Sequence, residues 1–134
     1  MQATALRETQ EEVGLHPRHV QVIGELPVYV TGSSFSVTPV VALVWPDFEL
    51  SPNADEVQDV FEVPLAFLMN PAHHRRHAFE WEGSSRQWFS MPYQDSRLAH
   101  ETGGEARPVE RFIWGATAAM LRNFYRFLVV NTEE

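Results

Sequence analysis

The sequence predicts an α+β layer architecture with a central mixed sheet. Two observations carry this prediction. Short apolar runs separated by Gly, Pro and Ser alternate with two substantial amphipathic helices, one near each end of the chain. The length of 134 residues, 44% of them hydrophobic, suits a single domain spanning 1–134 with enough apolar matter for a core.

The first element is a helix through Arg7-Glu8-Thr9-Gln10-Glu11-Glu12-Val13. On a 3.6-residue period Glu8, Glu11 and Glu12 stand at i, i+3 and i+4, so their carboxylates leave one face. Leu6 and Val13, with Ala3, lie on the other side and can pack on a core. Arg7, four residues before Glu11, is spaced to pair with it. Gly14 suits the left-handed position that ends a helix, with Leu15 folding back as the hydrophobic contact.

After a His16–His19 connector, Val20, Val22 and Leu26 alternate as in a half-buried strand until Pro27. Tyr29-Val30-Thr31 resumes it before the turn at Gly32-Ser33-Ser34. Phe35 to Trp45 is so densely apolar that it reads as a central strand covered on both faces, with Pro39 marking a bulge or a local edge. Val60–Val63 reads as a short strand, and Pro64 at N1 starts a short helix over Leu65–Met69.

His73-His74-Arg75-Arg76-His77 is the only basic run and reads as a solvated loop. Its spacing does not suit zinc. Ala78–Trp81 and Arg86–Met91 read as a hairpin about a turn at Gly83-Ser84-Ser85, and Pro92–Pro108 as a long loop helping to cover a ligand. The closing helix runs from about Arg111 to Phe127 with one apolar stripe through Phe112, Ile113, Ala116, Met120, Leu121, Phe124 and Leu128. Asn131–Glu134 is a polar tail.

The net charge of −8 argues against partners that are nucleic acid or anionic membrane. The absence of Cys removes thiol chemistry and disulfides and fits a cytoplasmic setting. Neither a basic-plus-apolar leader pattern nor an apolar run of spanning length is present.

The acidic ridge carries the chemistry. Three crowded carboxylates repel one another, and oxygen-only donors point to a hard cation, Mg²⁺ or Mn²⁺. Such a cation neutralises phosphate charge and lowers the pKa of a bound water. Solvated helix faces have the same composition, so these residues alone leave both readings standing. Glu56 is the candidate acid reaching the site from outside the helix, and Arg75 or Arg76 the candidate grip on a substrate phosphate.

Arg7-Glu8-x-x-Glu11-Glu12-x-Gly14-Leu15 resembles the second half of the Nudix box, G-x5-E-x7-R-E-U-x-E-E-x-G-U, with Thr9 where a bulky aliphatic is usual. Ala5–Thr9, Val20–Gly24, Val37–Val41, Val60–Leu65 and Ile113–Ala118 extend the likeness to the coenzyme A diphosphatase branch of the Nudix hydrolases, over about Ala3 to Phe127. The resemblance implies a Nudix-like α/β/α sandwich and a Mg²⁺- or Mn²⁺-dependent hydrolase. Such an enzyme splits coenzyme A into 4′-phosphopantetheine and adenosine 3′,5′-bisphosphate. Glu8, Glu12 and Glu11 would be its metal ligands and Arg7 would orient them.

The first Gly, the x5-E segment and the N-terminal strand or strands of that pattern would lie before Met1. An incomplete sheet with an edge that pairs with a second copy, and impaired hydrolysis, are the expectations. Two other readings stay open. One is a non-catalytic Nudix-like binding or oligomerisation module; the other is a Nudix hydrolase of ADP-ribose or nucleoside triphosphates.

Overall fold

The computed structural model describes residues 1–57, 59–102 and 105–132. Helices and strands are mixed through the chain, as an α+β fold requires. Among the described residues the strands form three small antiparallel sheets. The chain forms two compact units, Met1–Glu62 and Val63–Glu134.

In the first unit, helix α1 (Gln2–Val13) leads into a 3-10 turn at Pro17–His19 and strand β1 (Val20–Glu25). The helix half-buries Ala5, Leu6, Thr9 and Val13 and leaves Glu8, Glu11 and Glu12 in solvent. Ala3, expected on the packed face, is exposed. Leu15, folded back past the helix end, is buried. Strand β1 alternates half-buried and exposed residues and pairs antiparallel with β4 (Val40–Val44) in the register Val20↔Val44 to Glu25↔Val40, with an irregularity between Val22 and Gly24.

The single strand expected over Phe35–Trp45 is divided. β2 (Tyr29–Val30) and β3 (Ser36–Val37) form their own small hairpin, and β4 begins after Pro39. Proline has no amide hydrogen to give a ladder. Its carbonyl instead accepts from the amide of Leu26 at 2.9 Å. Nor is β4 covered on both faces: among the described residues it pairs only with β1, and Leu43 and the following Trp45 are more than half exposed. Density of apolar residues did not distinguish a covered strand from one whose neighbours lie elsewhere. No strand includes Val60–Val63 among the described residues; the Val60 amide is engaged by the Asp59 side chain at 2.8 Å, a local bond that competes with a ladder.

The second unit opens with α2 (Leu65–Leu68), for which Pro64 is the N-cap rather than the first helical residue. The basic run is not a loop. His73 closes a 3-10 turn and Arg75 begins strand β5 (Arg75–Trp81). Imidazole nitrogens of His73 and His74 meet the carbonyls of Phe67 and Leu68 at 2.9 and 2.6 Å. These are carbonyls a short helix cannot satisfy internally. The histidines thus cap α2, a role composition does not disclose.

β5 pairs with β6 (Ser84–Thr102) from Arg75↔Ser90 to Trp81↔Ser84, and the two-residue turn is Glu82-Gly83. Both turn residues have positive φ, 49° and 77°. That is the twist a tight hairpin needs. Gly83→Val should cost about 1–2 kcal/mol by strain alone, since a Cβ there meets open space; an unchanged urea midpoint would remove the turn assignment.

The long loop expected over Pro92–Pro108 is instead ladder. β6 continues to Thr102 and pairs with β7 (Glu105–Trp114), with Tyr93↔Arg111 and Asp95↔Val109 among the partners. Pro92 and Pro108 read as breakers, yet Met91, Tyr93 and Asp95 alternate toward one face and hold the strand together. Gly103 and Gly104 lie outside the described residues.

The closing helix starts later than expected. Arg111–Trp114 belong to β7, and Gly115, at φ 66°, turns the chain into α3 (Gly115–Thr132). Phe112 and Trp114 are exposed whereas Arg111 and Ile113 are not, a two-residue alternation inside what looks like a helical stripe. Helix α3 packs on β6 and β7, with Ala118 and Met91 fully buried. On the same face Asp95, 1% exposed, meets Arg111 at 3.5 Å. The opposite face carries Phe79, Trp81, Phe112 and Trp114, all substantially exposed, around a His77–Trp88 stack.

Candidate functional site

The acidic ridge is real as geometry. Twelve residues of unbroken helix place Glu8, Glu11 and Glu12 on the solvent side of α1. Arg7 lies between two of them, 3.6 Å from Glu8 and 3.9 Å from Glu11, the i, i+4 pair the spacing predicts. All three of these side chains are about half exposed or more, so the pairs orient the carboxylates and add little stability. Thr9 turns its hydroxyl back to the carbonyl of Ala5 at 2.8 Å, which hides its polarity on the half-buried side of the helix. A threonine there does the work of a small apolar residue.

The end of α1 is where tertiary structure enters. Gly14 has φ 74° and ψ 16°, the left-handed cap, and its amide donates to Gln10 at 2.9 Å. The chain from Ser51 then returns against the helix end. The Ser51 amide donates to the carbonyl of Val13 and the Asn53 amide to that of Glu12, both at 2.8 Å. Two of the orphan carbonyls of the helix are satisfied by a segment nearly forty residues away.

Asn53 is the hub of that contact. Its side-chain oxygen accepts from the Asp55 amide at 3.1 Å, and its carbonyl accepts from Glu56 and Val57 at 3.0 and 2.8 Å. The turn carrying Glu56 is therefore hung from the backbone of Glu12. Asn53 is not among the site residues that the sequence singles out. The Asn-x-Asp spacing of an Asx turn was the available signal.

Arg75 and Arg76 lie at the start of β5, in the other unit, where the Arg76 guanidinium sits 5.5 Å from the centre of the Phe89 ring.

The donor chemistry of the ridge fits a hard divalent cation. The side chains as placed do not close a cage: among the described residues no three of His, Asp and Glu converge as a metal-holding group. The carboxylates of Glu8 and Glu11 are turned to Arg7 instead.

No family model matches the chain. Individual proteins do. It is 36% identical over 121 residues to the uncharacterized Nudix hydrolase NudL of Escherichia coli, an alignment covering 90% of this chain and 55% of that protein. The NudL of Klebsiella pneumoniae is 37% identical over the same length and shares of the two chains.

Over nine tenths of its length the chain is a homologue of Nudix hydrolases.

The peroxisomal coenzyme A diphosphatase NUDT7 of mouse is 54% identical over 69 residues, 52% of this chain and 29% of that protein. The chain thus spans about half the length, or less, of the relatives it matches. Within the family pattern, α1 is the helix that carries the R-E-x-x-E-E-x-G-U half of the Nudix box, and Gly14 is the glycine of that half.

Proposed function

We propose that this Nudix chain serves hydrolysis of a diphosphate linkage in a nucleoside diphosphate derivative, with coenzyme A the favoured substrate and Mg²⁺ or Mn²⁺ the cofactor. One observation carries the reading most: the half-box is realised as a single exposed face of α1, capped by a left-handed Gly14 and locked to the Glu56 turn through Asn53. The similarity to the mouse coenzyme A diphosphatase supports the choice of substrate. Glu8, Glu11 and Glu12 would hold the cation, which on binding supplies charge neutralisation at the diphosphate and an activated water. Arg7 holds Glu8 and Glu11 in orientation, and Glu56 supplies the acid or base from outside the helix.

The test is hydrolysis of coenzyme A by this chain with Mg²⁺ or Mn²⁺, followed as release of adenosine 3′,5′-bisphosphate. Slow turnover that disappears in Glu12→Gln is expected. Faster cleavage of ADP-ribose or a nucleoside triphosphate would reassign the substrate, and no cleavage of any diphosphate would overturn the reading in favour of a binding module.

Metal binding gives an independent check. Calorimetry with Mn²⁺ should show weak affinity in the wild type, reduced about tenfold in Glu12→Gln. Equal affinity in the two would take the cation away from this ridge.

A further inference from the structure

We propose that an open cleft in the first unit, lined by Arg18, His19, Trp45, Pro46 and Asp47, binds an adenine-type nucleoside phosphate. The cleft has a volume of about 530 Å³, within the range of small-molecule sites. The choice of ligand rests on the hydrolase reading, but the cleft is tested by binding alone.

Three features of the cleft match three parts of such a ligand. The first is the indole of Trp45, which is 53% exposed at the end of β4 although its backbone amide is tied to the His19 carbonyl at 2.8 Å. A large ring held by its backbone and left in solvent is a platform on which a planar base stacks. The second is Arg18. Its Nε donates to His19 Nε2 at 3.1 Å, which orients the guanidinium and leaves its two terminal amino groups able to grip a phosphate as a fork.

The third is Asp47. Because His19 Nε2 accepts from Arg18, the imidazole proton lies on Nδ1 and donates to Asp47 Oδ1 at 3.2 Å. His19 is mostly buried while Asp47 is 79% exposed, so the chain Arg18–His19–Asp47 is anchored at its middle and presents a cation at one end and a carboxylate at the other. The Asp47 Oδ2 lone pairs suit the exocyclic amine of adenine. Arg18 attracts a phosphate and Asp47 opposes one, so together they favour a ligand that carries a hydrogen-bond donor as well as a phosphate over a bare anion.

The sequence frames the cleft rigidly. His16 Nδ1 accepts from the Arg18 amide at 3.0 Å, Pro17 begins the 3-10 turn, and Pro46 stiffens the exit from β4. Both walls are joined by the β1–β4 ladder, whose terminal pair is Val20↔Val44. In a chain of net charge −8, a guanidinium placed beside an exposed indole is a local attraction for an anion that the rest of the surface repels.

The experiment is calorimetric titration of the full chain with AMP, adenosine, IMP and inorganic phosphate, without metal, alongside the quenching of tryptophan fluorescence. AMP should bind most tightly. IMP, which lacks the amine, and adenosine, which lacks the phosphate, should each bind several-fold more weakly, and phosphate alone weakest. Trp45→Ala and Arg18→Gln should each weaken AMP about tenfold. Trp45→Phe keeps a π face and should stay within about threefold, which separates stacking from a folding defect. Asp47→Asn should narrow the preference for AMP over IMP.

AMP affinity indifferent to Trp45→Ala and Arg18→Gln, or no AMP binding by the unaltered chain, would overturn the proposal. Phosphate binding as tightly as AMP would also overturn it, since the base would then contribute nothing. A chain that binds AMP in this way yet hydrolyses no coenzyme A would refute the hydrolase reading and leave the cleft standing. A chain that hydrolyses coenzyme A with AMP affinity unchanged by these substitutions would do the reverse.

Discussion

Gly14→Val is expected to lower stability by about 3 kcal/mol or more, a large part of the total for a small domain. Two costs add. A β-branched residue at φ 74° is strained by roughly 1–2 kcal/mol. The added Cβ would also lie 2.8 Å from the Ser51 backbone nitrogen and 2.9 Å from its carbonyl oxygen. Backbone cannot rotate away as a side-chain tip can. Relief requires the Ser51–Asn53 segment to move, which strips partners from the carbonyls of Val13 and Glu12 at about 1 kcal/mol each.

In urea the midpoint should fall by about 1–3 M. Gly24→Ala is the control: nothing lies within 4 Å of its Cβ, and its cost should stay below about 1 kcal/mol. A Gly14→Val midpoint equal to that of Gly24→Ala would show that the returning segment does not rest on the helix end. Because the same contact hangs the Glu56 turn from Glu12, Gly14→Val should also weaken Mn²⁺ binding at temperatures where the chain is still folded.

Arg111→Met is expected to cost about 3–5 kcal/mol, the range for breaking a buried ion pair from one side. Asp95 is 1% exposed and the Arg111 side chain 12%, with 3.5 Å between them. The pair is diagonal across the β6–β7 ladder, since Tyr93 faces Arg111 and Asp95 faces Val109. Removing the guanidinium takes a cationic neighbour from a carboxylate that stays buried on the face that α3 covers.

The double variant Asp95→Leu with Arg111→Met removes both charges and should regain part of the loss, because a buried carboxylate no longer has to be kept without its Arg111 contact. A double variant as unstable as Arg111→Met alone, by thermal or urea unfolding, would place the cost in lost packing instead. The pair also fixes register: a shift of one residue along β6 would turn Asp95 away from α3 and expose Met91.

The sequence by itself determined the elements whose causes are local. Helix α1, its acidic face, the Arg7–Glu11 spacing and the Gly14 cap follow from a 3.6-residue period and from one residue's tolerance of positive φ. The β5–β6 hairpin was legible for the same reason, although its turn fell one residue earlier than expected. The family was legible as well, because the half-box is a fixed spacing of charged residues around a glycine.

What only the tertiary structure decided depends on partners distant in the chain. Whether Phe112-Ile113-Trp114 is strand or helix turns on β6 lying beside it, and an apolar cluster of that length satisfies either period. Pro92 and Pro108 look like breakers, yet Pro92 lies past the last β6 residue that β5 pairs with and Pro108 at the irregularity in the β6–β7 register, places where a ladder tolerates a proline. His73 and His74 read as solvent-facing charge, yet they cap the carbonyls of α2. Asn53 reads as loop, yet two helix-end carbonyls left without intrahelical partners draw its segment back to α1. A periodic pattern fixes what a residue does to its neighbours within a turn or two; unsatisfied carbonyls, ladder partners and buried charges are answered across the fold, where sequence distance carries no signal.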